Sequence, residues 1–156
     1  MKIRPAKQSD IQQIKLLIDR NFDEVISEYH SKLVCENFKS KNSCESLLNQ
    51  LKWKRIYVVE SDTGDITATG AFVNFGSAEN PKYSASNFYV LPEKHSTGIG
   101  RMLFGKLYED AKSSNAGSFH VPSTRNAVGF YERMGFAVDS EQPDEKDEIT
   151  WMTMPL

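Results

Sequence analysis

The sequence lacks the features that mark membrane, secreted and nucleic-acid-binding proteins. No apolar run approaches the roughly 20 residues that span a bilayer, and the opening segment, MKIRPAKQSD, has no apolar stretch that would act as a secretory signal. The 19 lysines and arginines are outnumbered by 21 acidic residues, so the basic excess typical of a nucleic-acid binder is missing. We therefore expect a cytoplasmic protein that binds neither a membrane nor a nucleic acid.

Cysteine is scarce as well, with only Cys35 and Cys44 in the chain. Neither has histidine partners at the spacing of a metal site, so no bound metal is expected. Free thiols in a reducing compartment are favoured over a disulfide. Nothing in the neighbouring sequence would lower the pKa of either thiol, which disfavours a covalent reaction route through a cysteine.

Glycine and proline are nearly absent from the first half of the chain. All nine glycines lie at or after Gly64, and no proline occurs between Pro5 and Pro81. Because these two residues are the main breakers of regular structure, the first half is predicted to be mostly helical after an opening strand around residues 2–4.

Two patterns locate the predicted helices of this half. Apolar residues recur at helical intervals and predict one buried helix face: Ile11, Ile14, Ile18 and Phe22. Ser9 and Gln12 have the spacing of a capping box, so the Ser9 side chain is predicted to cap this helix. A second helical stretch is predicted within residues 26–51, with an internal break that the sequence does not locate.

The second half alternates strand and helix patterns. Strands are predicted at residues 56–60, 66–75, 83–90, 118–121, 136–139 and 149–154, and helices at residues 98–114 and 123–134. Hairpins come first and crossover helices later, which favours a mixed sheet. We predict one α/β domain over residues 1–156, with a central mixed sheet of about six to seven strands flanked by helices.

The most informative segment is FYVLPEKHSTGIGRML, residues 88–103. A strand ends at Val90 and a turn of small residues leads directly into a helix, whose exposed amides and dipole favour phosphate. Gly98 and Gly100 would let a phosphate approach closely. A Walker A loop is excluded because Gly-Lys-Ser/Thr is missing, and Leu103 stands where a dinucleotide fingerprint needs its third glycine. On spacing alone, a glycine turn that merely starts a helix is the other interpretation.

This segment resembles the coenzyme A loop of the GNAT superfamily of N-acetyltransferases, which reads Gln/Arg-x-x-Gly-x-Gly/Ala. His95 occupies the Gln/Arg position, and the two glycines match. His95 departs from the pattern, which removes a usual side-chain contact and leaves the backbone amides. The resemblance implies that Val90 lies at the thioester end of the coenzyme. It also implies that one run of residues holds the pyrophosphate: His95, Ser96, Thr97, Gly98, Ile99 and Gly100.

A second match lies in PSTRNAVGFYERMGF, residues 122–136. It is similar to the GNAT helix that reads Ser/Asn-x-x-Ala-x-x-Phe-Tyr-x-x-x-Gly-Phe, and the two matches in this order extend the resemblance over nearly the whole chain. Tyr131 is thereby implied to protonate the departing thiolate, whereas helical spacing by itself favours a core aromatic. Asn126 is implied to bind the pantetheine amides, although the family's asparagine often stands where this chain has Thr124.

The resemblance implies a function: transfer of an acetyl group from acetyl-CoA to a primary amine of a small molecule or peptide, by direct attack with both substrates bound. The backbone amide of Val90 would stabilise the oxyanion. The strand before the loop carries no acid, so the base would be an ordered water or Glu24, Glu28 or His30. The missing acid leaves a second interpretation open, a noncatalytic acyl-CoA-binding sensor module. A homodimer is compatible with either.

Acidic residues dominate the stretch between Phe136 and the final strand: Asp139, Glu141, Asp144, Glu145, Asp147 and Glu148. In the GNAT superfamily the loop joining the last two strands lies beside the acceptor entrance, so these acids would concentrate a cationic amine there. The other interpretation is a solvated surface loop whose charge only aids solubility.

Overall fold

A mixed sheet organises the protein, whose computed structural model describes residues 1–143 and 146–156, with backbone only at residues 141–143. Seven strands in this part of the chain pair in the order β1-β2-β3-β4-β5-β7-β6. They are β1 Lys2–Pro5, β2 Arg55–Glu60, β3 Ile66–Asn74, β4 Tyr83–Val90, β5 Ser118–Ser123, β6 Ala137–Pro143 and β7 Thr150–Pro155. The predicted α/β architecture with a mixed sheet is confirmed.

In the described part of the chain, five α-helices flank the sheet: α1 Ile11–Glu24, α2 Lys32–Lys41, α3 Cys44–Gln50, α4 Ile99–Ser113 and α5 Val128–Met134. The buried side chains form two clusters, and Val58 belongs to one while its neighbours Tyr57 and Val59 belong to the other. Because successive side chains of a strand point to opposite faces, the two clusters lie on opposite faces of the sheet. No helix in the described residues is long and apolar enough to cross a membrane.

The centre of the sheet opens between β4 and β5. Strands β1 to β4 form an antiparallel meander, and β4 pairs with β5 in parallel, after the crossover helix α4. This parallel pairing covers only Tyr83 with Phe119 and Ser84 with His120. Beyond Ser84 the two strands separate, so the last residues of β4 border a gap.

The predicted cap of the first helix is wrong. Residues Gln8–Asp10 form a 3-10 turn and α1 begins at Ile11, so Ser9 lies outside the helix. The Asp10 carboxylate accepts the Lys7 amide hydrogen at 2.8 Å, which closes the 3-10 turn, and it pairs with Arg4 at 2.8 Å; it makes no capping bond to α1. The Arg4 guanidinium holds the pKa of Asp10 below its usual range.

Two other helix boundaries correct or complete the sequence-based expectations. The break that the sequence did not locate falls at residues 42–43, where the Ser43 hydroxyl accepts the Ser46 amide hydrogen and caps α3. The helix predicted from Ser123 begins later, because β5 continues to Ser123 and a 3-10 turn at Arg125–Ala127 precedes α5.

Cys35 and Cys44 are both free thiols. Burial raises the pKa of the Cys35 thiol, which makes it a poor nucleophile. In the described residues no group of three or more His, Cys, Asp or Glu side chains is arranged to hold a metal ion.

Candidate functional site

The loop between β4 and α4 leaves the start of a helix open. Ser96 and Gly98 both have positive φ angles, 63° and 90°, and α4 begins directly after Gly98. A β-carbon added to Gly98 would meet no atom within 4 Å. The first amides of this 15-residue helix are therefore accessible to a ligand from the Gly98 side.

Val90 presents its peptide group to the gap between β4 and β5. The Leu91 amide donates to the Thr67 carbonyl in β3, and peptide groups alternate sides along a strand, so the N–H and C=O of Val90 face away from β3. The Val90 carbonyl accepts hydrogen bonds from Asn21 Nδ2 and His95 Nε2, both at 2.9 Å. The His95 ring thus anchors the end of the strand.

A cavity of about 410 Å³ opens over this loop, and we call it the loop cavity. Seven predicted site residues line it: Val90, His95, Ser96, Gly98, Gly100, Asn126 and Tyr131. The other two predicted residues do not line it with their side chains. The Thr97 hydroxyl donates to the Lys94 carbonyl, and the Ile99 side chain is buried in the core. These two residues can contribute only through the backbone.

Asn126 carries an orphaned acceptor in the wall of the loop cavity. Its Oδ1 atom is buried and has no hydrogen-bond partner among the described residues. Buried side-chain oxygens are usually bonded in native structures. The site therefore fits a ligand that donates a hydrogen bond there, such as one carrying an amide N–H.

Tyr131 combines a buried ring with a hydroxyl that makes no side-chain hydrogen bond to a described residue. The ring packs edge-on against Phe88, Phe130 and Phe136 at centroid distances of 6.2, 5.2 and 5.7 Å. Burial raises the pKa of Tyr131, so the hydroxyl remains protonated at neutral pH.

A second cavity, of about 460 Å³, lies against α2, α3 and β4, and we call it the helix-side cavity. It includes Asn42, Gln50, Lys54, Ser86 and Asn87 in its wall. Five residues line both cavities: Phe88, Tyr89, Thr124, Ala127 and Tyr131. The two cavities therefore meet where the Tyr131 ring lies, beside the end of β4.

This geometry agrees with a comparison against protein families, in which a model described as an acetyltransferase (GNAT) domain matches residues 25–156. The chain belongs to the GNAT acetyltransferase family. Membership of this family supports acetyl transfer and coenzyme A binding in general terms. No curated protein sequence matches it significantly.

Solved GNAT structures share the fold at low sequence identity. PaiA N-acetyltransferase from Thermoplasma acidophilum, in complex with coenzyme A, has a TM-score of 0.84 and 16% identity over 99% of this chain and 98% of that one. Ribosomal-protein-alanine N-acetyltransferase from Brucella melitensis has a TM-score of 0.68 and 18% identity over 100% of both chains. N-acetylglutamate synthase from Neisseria gonorrhoeae, with coenzyme A and N-acetyl-glutamate, has a TM-score of 0.71 and 22% identity over 99% of this chain and 35% of that one.

The three side chains that the sequence suggested as the general base lie outside both cavities. Glu24 pairs with Arg20 at 2.7 Å, and Glu28 is exposed. Neither they nor His30 belong to the described residues that line the two cavities. Asp147 is the one described carboxylate in the wall of the helix-side cavity.

His30 ties three segments together. Its Nε2 atom accepts the Arg125 amide hydrogen at 2.9 Å, so Nδ1 carries the ring hydrogen and donates to Glu148 Oε1 at 3.1 Å. The Ser31 amide donates to the same carboxylate at 3.0 Å. Burial lowers the pKa of His30, which keeps it neutral in this role. His30 therefore holds the turn that carries Asn126.

The hydrogen bonds of His30 are expected to stabilise the folded protein. His30→Ala removes both ring hydrogen bonds and is expected to lower the free energy of unfolding by about 1–3 kcal/mol. The folded pKa of His30 lies below its ordinary value of 6.5, so the unfolded chain binds more protons and His30 costs stability as the pH falls through 6.5. Urea unfolding at pH 7.5 and 5.5 should show a smaller loss on acidification in the variant. Burial also lowers the pKa of His120, but that residue is present in both proteins. If the wild-type protein and the variant lost equal stability between pH 7.5 and 5.5, this role of His30 would be contradicted.

The acidic stretch before β7 is only partly described. Glu148 is engaged by His30 and Ser31, whereas Asp144 and Glu145 lie outside the described residues. The attraction of a cationic amine by Asp144 and Glu145 stays a prediction.

Sequence reasoning missed three polar residues around the cavities. Asn21 stands on the apolar face of α1, between Ile18 and Phe22, and a polar residue in that stripe was a usable signal. Asn87 has a φ of 50° where the pairing of β3 with β4 is irregular, and no local sequence pattern predicts this conformation. Lys54 follows α3 in a stretch that looks like an ordinary polar turn.

Proposed function

We propose that this GNAT protein transfers the acetyl group of acetyl-CoA to a primary amine of a small molecule or peptide, by direct attack while both substrates are bound. One observation carries the proposal: the loop cavity and the helix-side cavity share five residues and meet at Tyr131. A coenzyme in one cavity and an amine in the other would bring their reacting atoms together there. Proximity of this kind supplies much of the rate of a two-substrate reaction.

The loop would hold the coenzyme through backbone amides. The start of α4 offers unpaired N–H groups and the positive end of the helix dipole, which favour a pyrophosphate. The amides of residues 95–100 are the proposed ligands. The orphaned oxygen of Asn126 would accept a hydrogen bond from an amide of the pantetheine arm.

The reacting atoms would be handled by Val90 and Tyr131. The amine lone pair attacks the thioester carbonyl, and the Val90 amide, on the gap side of β4, stabilises the oxyanion. As the C–S bond breaks, the sulfur takes the hydroxyl proton of Tyr131, and a proton leaving the nitrogen restores the phenol. Glu24, Glu28 and His30 lie outside the helix-side cavity, so the deprotonation of the amine before attack is assigned to water there or to Asp147, the described carboxylate in its wall.

Family membership does not identify the acceptor amine. The structural neighbours include a ribosomal-protein-alanine N-acetyltransferase and an N-acetylglutamate synthase, whose names refer to a protein residue and to an acetylated amino acid. The shape of the helix-side cavity, about 460 Å³ and walled by α2, α3 and β4, favours a small molecule or the end of a peptide.

An amine panel tests the proposal. Amino acids, polyamines, aminoglycosides and peptides with free N-termini are incubated with acetyl-CoA, thiol release is measured, and products are identified by mass spectrometry. We expect N-acetylated product, with initial rates that show a ternary complex. Parallel lines in double-reciprocal plots would point to a covalent intermediate and contradict direct attack. Tight acetyl-CoA binding without release for any amine would favour the noncatalytic sensor module.

A further inference from the structure

Lys54 is a half-buried ammonium group in the wall of the helix-side cavity. It lies on the turn between α3 and β2. Its Nζ atom donates to Ser86 Oγ at 3.1 Å and to Asn87 Oδ1 at 2.9 Å. Among the described residues no carboxylate forms an ion pair with it, and the pKa of Lys54 is lowered to about 8 by burial alone.

A charge in this position needs a counter-charge. Removing an ammonium group from water is costly unless an anion compensates it, and buried charges are therefore usually paired. At pH 7 a lysine with a pKa of about 8 is still mostly protonated. If Lys54 served only to pack the cavity wall, a neutral side chain at position 54 would give a more stable fold.

The ammonium group is held in place by a network centred on Asn87. Asn87 Oδ1 accepts from Lys54 and from Ser86 Oγ, at 2.9 and 2.6 Å. Asn87 Nδ2 donates to Asn42 Oδ1 at 3.0 Å and to Gln50 Oε1 at 2.9 Å. Nζ also lies over the Trp53 ring, 5.0 Å from its centroid, a cation–π contact that leaves the charge in place. An ammonium group has three N–H donors, so one makes no hydrogen bond to a described residue.

We propose that the acceptor carries a carboxylate close to its amine, as a free amino acid does, and that Lys54 binds this carboxylate. This rests on the proposed function. Asn87, which holds Lys54, stands two residues before Tyr89 at the junction of the cavities, or roughly 7 Å along the strand. An acceptor with its carboxylate at Lys54 and its amine near Tyr131 is therefore small. One ammonium group with one spare donor matches a single carboxylate.

Matched acceptor pairs test the assignment, because each pair differs only in the carboxylate: phenylalanine with phenethylamine, leucine with isopentylamine, and lysine with cadaverine. The wild-type enzyme is expected to prefer the amino acid of at least one pair by about tenfold or more in kcat/KM, the scale of one charge-assisted hydrogen bond. Lys54→Met should abolish this preference by raising KM for the amino acid and leave the decarboxylated amine unchanged. Lys52→Met is the control, since Lys52 is exposed and outside both cavities.

The pH dependence of the preference for the amino acid distinguishes the effect of the Lys54 charge from that of its side-chain shape. Below pH 8 Lys54 is charged, so the preference should be present there and should fall as the pH rises through 8. Lys54→Arg keeps its charge, and its preference should persist to higher pH. Lys41, Asp147, Tyr89 and Tyr131 line the same cavity and are present in both enzymes. The difference between the two profiles therefore reports Lys54.

Three results would overturn the inference. The first is equal efficiency within every pair. The second is a Lys54→Met variant that keeps the preference. The third is a Lys54→Met variant that instead loses kcat for every amine and no longer shows the acidic limb of the pH profile, since this would make Lys54 the proton acceptor. Lys54→Gln serves as a second variant if Lys54→Met does not fold.

If the wild-type enzyme acetylates no amine, the proposed function fails and the anion site is tested by binding. Calorimetry then compares N-acetylphenylalanine with N-acetylphenethylamine in the presence of coenzyme A. Binding that needs both the carboxylate and Lys54 would support the site. Equal or undetectable binding of the two compounds would overturn it.

Discussion

Tyr131→Phe is expected to lower turnover by about two to four orders of magnitude, the usual scale for the loss of a general acid. The substitution deletes one oxygen and keeps the ring that packs against Phe88, Phe130 and Phe136. Stability and coenzyme A affinity should therefore hardly change. Because burial raises the pKa of Tyr131, ionisation of the hydroxyl should not limit wild-type turnover below about pH 10.

Two comparisons make this result specific. Tyr108→Phe removes a hydroxyl from α4, away from both cavities, and should keep wild-type turnover. Tyr89→Phe tests the second tyrosine that lines both cavities. Near-normal turnover of Tyr131→Phe at saturating substrates, with chemistry shown to limit the rate, would leave Tyr131 as a core residue. A large loss of turnover in Tyr89→Phe, without one in Tyr131→Phe, would identify Tyr89 as the general acid.

Gly98→Asp is expected to weaken coenzyme A binding by about 10- to 100-fold. Gly98 has a φ of 90° at the start of α4, and its open side lines the loop cavity. A carboxylate there would stand against the proposed pyrophosphate position, and two like charges about 4 Å apart repel by several kcal/mol before screening by salt. Calorimetry with coenzyme A measures the effect directly.

Gly98→Asn is the matched control. Asn and Asp have nearly the same shape and are the side chains that best tolerate positive φ, so the two variants share any backbone strain. Their difference isolates the charge and should shrink as ionic strength rises. Equal affinities of the two folded variants at low salt would remove this loop from the coenzyme site.

Local patterns were sufficient for most of the fold. Strand β4 has the predicted bounds of Tyr83 and Val90, because β-branched and aromatic residues there are flanked by Pro81 and Pro92. The buried face of α1 follows from helical spacing. The predictions that failed concern helix starts. At Ser9 and Ser123 the capping residue types are present, but neither residue caps a helix, and α1 begins instead after Asp10, which is held by an ion pair with Arg4.

The sequence by itself determined the loop that leads into α4 and the helix that carries Tyr131, because each depends on neighbours within one turn of the chain. Only the tertiary structure decided what surrounds them. The gap beyond Ser84, the partners of the Val90 carbonyl, the hydrogen bonds of His30 and those of Lys54 all involve residues far apart in sequence. Hydrogen bonding and burial at these places depend on three-dimensional contacts, for which a residue's own segment carries no signal.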